Sequence, residues 1–146
     1  MTDDDRLPTP APAFAAHFTD PLYDDPASEY APFGTDEGAD LLHEWADRRD
    51  ELGPSSTLAH LLEEEGAGEM LQDLDLPITD PHRTPDGLVD AATTVLGAGF
   101  TLLRLTGRLD DQGLADTRKA VDVLLRVHGE QPELVRQRDD LRSWPA

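Results

Sequence analysis

Between Leu88 and Leu105 the chain places apolar residues on nearly every side of a helix: Leu88, Val89, Val95, Leu96, Phe100, Leu102, Leu103 and Leu105. A helix with no polar face must be surrounded by protein or by lipid. The longest uncharged run inside it, Ala91 to Leu103, is 13 residues, short of the roughly 20 that span a bilayer. The remainder of the 146-residue chain is therefore expected to wrap this segment as one domain with a single core. Thr84-Pro85-Asp86 reads as its start, with a capping hydroxyl, proline at the first helical position and an acid in the first turn. Gly107 reads as its end. Gly97 and Gly99 each cost about 1 kcal/mol relative to alanine in a helix interior. That cost is tolerable where another helix crosses closely, and a break into two shorter helices is the alternative.

The surrounding elements also read as helices. Thr35 caps a segment from Asp36 to Arg49, with Asp36 and Glu37 in its first turn and Arg48-Arg49 in its last, matching the macrodipole at both ends. Gly38, Leu41, Leu42, Trp45 and Ala46 form its apolar stripe, and Asp36, Asp40, His43 and Asp47 line up opposite. After Gly53-Pro54, Ser55 or Ser56 is expected to cap a helix to about Glu65 that turns Leu58, Leu61 and Leu62 inward and stops at Gly66-Ala-Gly68. A short turn at Met70-Leu71 leads into an extended link, Leu74 to Ile78. Asp110 or Asp111 opens a helix to about His128 with Leu114, Val121, Leu124 and Leu125 as its stripe, and Gly129 stops it. Pro132 opens a last helix, Glu133 to about Arg142. With no hairpin signal and no internal repeat, the fold class is all-α, a single-domain bundle of five or six helices.

The N-terminus is different in kind. Six of the twelve prolines lie within residues 1–33, and proline removes a backbone donor and holds its predecessor extended. Residues 1–12 are expected to be a disordered acidic, proline-rich tail, with residues 13–146 as the helical domain. Phe14, Phe18, Tyr23, Tyr30 and Phe33 supply five of the eight aromatics, too many for a merely disordered segment. Residues 13–34 are thus expected to form an extended arm that buries these rings on the bundle.

The net charge is −19, and it is unevenly placed: residues 1–75 carry 20 acids against Arg6, Arg48 and Arg49, while residues 76–146 carry 11 acids and nine bases. Such a charge disfavours nucleic acid and anionic lipid as partners. The bases Arg104, Arg108, Arg118, Lys119 and Arg126 are interspersed with acids and read as partners for the acidic half. The absence of cysteine excludes thiolate metal sites and cysteine nucleophiles. Met1-Thr-Asp-Asp-Asp-Arg6 has neither the basic region nor the apolar core of a signal peptide, so a cytoplasmic protein is expected.

No nucleophile elbow, phosphate loop or dinucleotide fingerprint occurs, and no catalytic residue, metal or cofactor is expected. His43-Glu44-Trp45-Ala46-Asp47 lacks the second histidine of a zinc-protease helix. The column Asp36, Asp40, His43, Asp47 has the spacing to align carboxylates and an imidazole for a divalent cation. The same alignment describes the solvated face of any acidic amphipathic helix.

The most patterned stretch is Tyr30-Ala-Pro-Phe-Gly-Thr-Asp-Glu-Gly-Ala-Asp40. It resembles the YfeS-like family of uncharacterised bacterial proteins over about fifteen residues, in the Ala-Pro-Phe-Gly-x-Asp-x-Gly-x-Asp element. The resemblance implies a small bacterial cytoplasmic domain and carries over no catalytic residue. Read physically, Pro32 and Phe33 dock the arm, Gly34 allows a tight turn, Asp36 can accept from free amides at the helix start, and Gly38 lets another backbone approach. Phe33, Gly34, Asp36, Asp40, His43 and Asp47 are the candidate binding residues. The expected function is a non-enzymatic, acidic protein–protein interaction module, immunity- or inhibitor-like, toward a basic protein partner. The alternative is a metal-dependent hydrolase using the acids of the 36–49 helix.

Overall fold

The computed structural model describes residues 7–80 and 82–145. It is all-α: α1 (Pro12–His17), α2 (Asp36–Asp47), α3 (Leu58–Glu64), α4 (Met70–Asp73), α5 (Leu88–Thr106), α6 (Asp111–His128) and α7 (Pro132–Ser143), with 3-10 turns at Pro21–Asp24 and Arg49–Glu51. Although α5 is long and apolar enough to cross a membrane, it is enclosed by protein. Buried positions occupy every side of it, from Leu88 and Ala91 to Leu103 and Leu105.

The helix α5 runs unbroken through both glycines, because two helices cross it there. A Cβ on Gly97 would lie 2.8 Å from the Cα of Gly38 on α2, and one on Gly99 would lie 2.1 Å from Thr117 Oγ1 on α6. The lost helix propensity is offset by close packing, on the α2 backbone at Gly97 and on the Thr117 side chain at Gly99, that leaves no room for a Cβ. The C-terminal stop is as expected, with Gly107 at φ 71° and its N–H donating to Leu103 O. The start is later than expected. Thr84-Pro85-Asp86 forms a turn in which Leu88 N donates to Pro85 O, and Gly87 at φ 85° takes the chain out of helical geometry before Leu88.

The helix α3 is capped by Thr57, whose hydroxyl accepts from His60 N at 3.1 Å, rather than by Ser55 or Ser56. Ser56 instead receives Gly53 N within the preceding loop. Asp110 caps α6 by accepting from Gly113 N at 3.0 Å, and its other carboxylate oxygen accepts from Leu58 N at 2.9 Å. One side chain thus satisfies open amides at the starts of two helices.

The arm packs on α5 and α7 as expected but is not extended throughout. Pro12 opens α1 instead of preventing it, since the N–H that proline lacks has no partner in a first turn anyway. Order also begins earlier than the expected boundary at residue 13. Ala11 N donates to Arg104 O, and the carbonyls of Pro8 and Thr9 accept from Arg104 and Arg49. Residues 1–6 of the expected tail lie outside the described residues.

Rings fix the arm in place. Phe18 stacks on Phe14 and Trp144 at 4.7 and 5.4 Å and meets Phe100 edge-on. Beneath them Arg104 is 2% exposed; its Nε donates to Pro8 O and its Nη1 to Tyr23 O and Asp24 Oδ1. Burial pulls its pKa below the usual guanidinium value, and the Asp24 contact opposes that. On the α7 side, Tyr23 Oη donates to Asp140 Oδ2 at 2.7 Å and Gln137 Nε2 to Tyr30 O at 2.5 Å. Burial first, and then Asp140, push the Tyr23 phenol far above its usual value.

Candidate functional site

The stretch Tyr30 to Arg49 joins arm to bundle, and each of its special residues has a local job. Phe33 is fully buried in the core. Gly34 lies against the Ser28 backbone so closely that a Cβ there would sit 1.8 Å from Ser28 O. Thr35 Oγ1 accepts from Gly38 N at 3.0 Å as the α2 cap. A Cβ on Gly38 would fall 1.9 Å from Pro32 O, while its Cα faces Gly97. The candidate binding residues therefore separate into two groups. Phe33 and Gly34 are internal and shape the joint; they offer no side chain to a partner.

Asp36, Asp40, His43 and Asp47 are all exposed on the outer face of α2, opposite buried Leu41, Leu42 and Trp45. The cap bond of α2 is made by the Thr35 hydroxyl, which accepts from Gly38 N, and not by the Asp36 carboxylate. Among the described residues, none of these three aspartates has an ion-pair partner. The carboxylates that do are Asp20, Asp24, Glu44, Glu51, Glu64, Asp75, Asp139 and Asp140. Nor does any group of three His, Asp or Glu side chains converge as a metal set among the described residues. The column stands side by side on one helix face, and nothing in this arrangement favours hydrolytic chemistry.

The bases divide their roles. Arg104 pairs with Asp24 and Lys119 with Asp75, as partners of the acidic half. Arg118 instead donates to Leu141 O at 2.7 Å, a carbonyl near the end of α7 that also accepts from Trp144 N.

Two polar constellations were not legible in the sequence. At the arm–α7 seam, Ser143 Oγ lies 3.1 Å from His17 Nε2, a contact that resembles a nucleophile and its base. The same Nε2 is 2.7 Å from Asp140 O. A carbonyl only accepts, so Nε2 carries the proton and cannot take one from Ser143. The pair ties the arm to α7.

The second lies where α2 meets α3. Trp45, 3% exposed, donates Nε1–H to Glu65 Oε2 at 3.2 Å. The Arg48 guanidinium covers the indole at 4.0 Å and bonds Glu44 and Glu51. Arg48 holds the Glu51 carboxyl below the usual range. Glu65 goes the other way: burial first, and then the negative charge of Glu44, push its carboxyl up to about 7. The helix α2 ends at Asp47, earlier than the expected Arg49, so Arg48 is its C-terminal cap residue and Arg49 begins the 3-10 turn, with no base in the last helical turn. The stacking of Arg48 on Trp45 was not predictable from spacing alone. Nothing in the sequence pairs Glu65 with Trp45, 20 positions earlier.

Comparison with family models, with curated proteins and with solved structures gives no match to this chain.

Proposed function

We propose that this protein is a non-enzymatic interaction module whose outer α2 face binds a basic surface on a protein partner, in an immunity- or inhibitor-like role in the cytoplasm. The observation that carries this reading is the uncompensated charge of Asp36, Asp40 and Asp47. All three are exposed without an ion-pair partner among the described residues, while Arg48, Arg104, Lys119 and Arg136 are spent on other carboxylates. Uncompensated negative charge on a rigid helix steers a cationic partner and sets its orientation. Rigidity comes from the joint below it, where Gly38 is locked between Pro32 and Gly97. The resemblance of residues 31–40 to YfeS-like proteins fits a small bacterial domain and adds no activity to the reading.

The test is affinity capture of a cellular partner at low and at high salt. The expected result is a captured protein with a basic surface that is released by salt, because exposed charge pairs are screened. Capture that is indifferent to salt, or no capture at all, would contradict the reading.

A further inference from the structure

The chain that leads into α2 also walls a half-enclosed cavity, which it shares with residues of α5, α6 and α7. Ala31, Leu96, Leu124 and Leu134 line it and are buried, so part of its wall is apolar. Thr35 and Thr93 line it half-buried, and Glu29 lines it exposed. The rings of Tyr30 and His128, also in the lining, stand 5.4 Å apart.

Size decides what class of group can enter. The space open to the centres of water-sized groups is about 30 Å³, within a basin of about 310 Å³ that merges with solvent. One such group takes about 10–15 Å³, so the enclosed part admits about two. That is the methyl end of a valine- or leucine-sized side chain, and too little for a sugar, a nucleotide or a ring cofactor. Charge narrows the class further. Among the described residues that line the cavity none is arginine or lysine, and Glu29 is the one carboxylate. Asp36, directly after Thr35, is exposed. Glu133, next to Leu134, is tied to the arm where its Oε2 accepts from Ser28 Oγ at 3.3 Å. The face of the Tyr30 ring attracts a cation. The apolar wall therefore favours carbon, and its surroundings favour a positive charge close behind that carbon.

We propose that this cavity is the anchor pocket for the basic partner: one valine- or leucine-sized side chain enters it, and a positive charge beside that side chain meets Glu29 and the Tyr30 ring.

The pocket is formed before binding. Gln137 Nε2 holds Tyr30 O at 2.5 Å, and Pro32 O lies against Gly38 with no room for a Cβ between them. A preformed pocket spares the ordering cost of association. Buried anchors ringed by polar contacts carry most of the affinity of an interface, so the α2 acids steer and orient the partner while the pocket holds it. Such an anchor rests on the interaction reading, since it belongs to the same partner.

The test titrates the full-length protein with isobutylammonium, which joins a valine side chain to a positive charge, at constant ionic strength. The methyl resonances of Ala31, Thr93 and Leu124 are followed, and saturable shifts are expected. Isobutanol lacks the charge and should bind about threefold more weakly, the scale of an exposed charge contact. Methylammonium lacks the carbon and should be weaker by about fourfold for each missing carbon, and isobutyrate should not bind. Thr93→Leu fills the cavity from α5 and should abolish the shifts of Ala31 and Leu124. Glu29→Gln, at an exposed position, should reduce the preference for the cation over isobutanol. Resonances that do not move with isobutylammonium, shifts that survive Thr93→Leu, or isobutanol binding as tightly as the cation would overturn the proposal. An empty cavity alongside salt-sensitive capture overturns the pocket and leaves the α2 face standing. A filled cavity without capture at any salt contradicts the α2 reading and leaves the pocket as a site for short alkylammonium groups.

Discussion

Gly34 and Gly38 are the residues least able to change. Their missing side chains make room for the carbonyls of Ser28 and Pro32, at 1.8 and 1.9 Å from where a Cβ would stand. Those neighbours are backbone, which cannot rotate away. Gly34→Ala and Gly38→Ala should each lower stability by about 3 kcal/mol, at the upper end of overpacking costs, read as a fall in the urea midpoint. Gly53→Ala is the contrast, with nothing within 4 Å and no positive φ. It should be neutral or stabilising by up to about 1 kcal/mol, through the unfolded chain. Arg104 acts at the same scale. Arg104→Met keeps the stem's packing but strands the buried Tyr23 carbonyl along with that of Pro8. Unsatisfied buried acceptors cost about 1–3 kcal/mol each. The variant should lose about 3 kcal/mol and become cleavable in the arm under limited proteolysis. An arm that stays resistant would show that the rings hold it alone.

At the scale of elements, helix caps carry unequal loads. Thr35 serves one amide at the start of α2, so Thr35→Ala should cost about 1 kcal/mol. Asp110 serves Gly113 N on α6 and Leu58 N on α3, so Asp110→Ala should cost about 2 kcal/mol, measurable by the same denaturation. Equal losses would mean that the second bond contributes nothing. The legible and illegible parts of the fold divide along similar lines. The apolar sides of α5, the stripe of α2 and the inward leucines of α3 follow from periodicity, which depends only on spacing along one helix. Gly97 and Gly99 announced a close crossing, though not which helices cross. The late start of α5 was hidden because Thr84-Pro85-Asp86 satisfies the rules for a cap, while Gly87 overrides them through its left-handed conformation. The choice of Thr57 over its neighbouring serines is a matter of one residue of register. Neither α1 nor the Trp45–Glu65 hydrogen bond was readable. The first is a proline opening a helix where prolines usually end them, and the second joins an indole and a carboxylate 20 positions apart that only the tertiary fold brings together.

For the whole molecule, the charge layout matters more than its total. A net charge of −19 works against compaction through self-repulsion. Added salt screens that repulsion over about 10 Å at 0.1 M. The melting temperature should therefore rise as salt is raised from low concentration, by about 2–4 °C for each kcal/mol of relief. A fall would show that the exposed ion pairs contribute more than the repulsion costs. The acids of the outer α2 face should contribute to that repulsion, since they have no intramolecular partner among the described residues. Replacing them should leave the joint beneath intact, because none of them takes part in it. The measurement that bears most directly on this division of labour is Asp36→Asn/Asp40→Asn/Asp47→Asn, compared with the wild type in thermal unfolding and in low-salt capture of the partner. The account predicts an unchanged or higher melting temperature together with loss of capture. Capture that survives the triple substitution, or a protein that no longer folds, would contradict it.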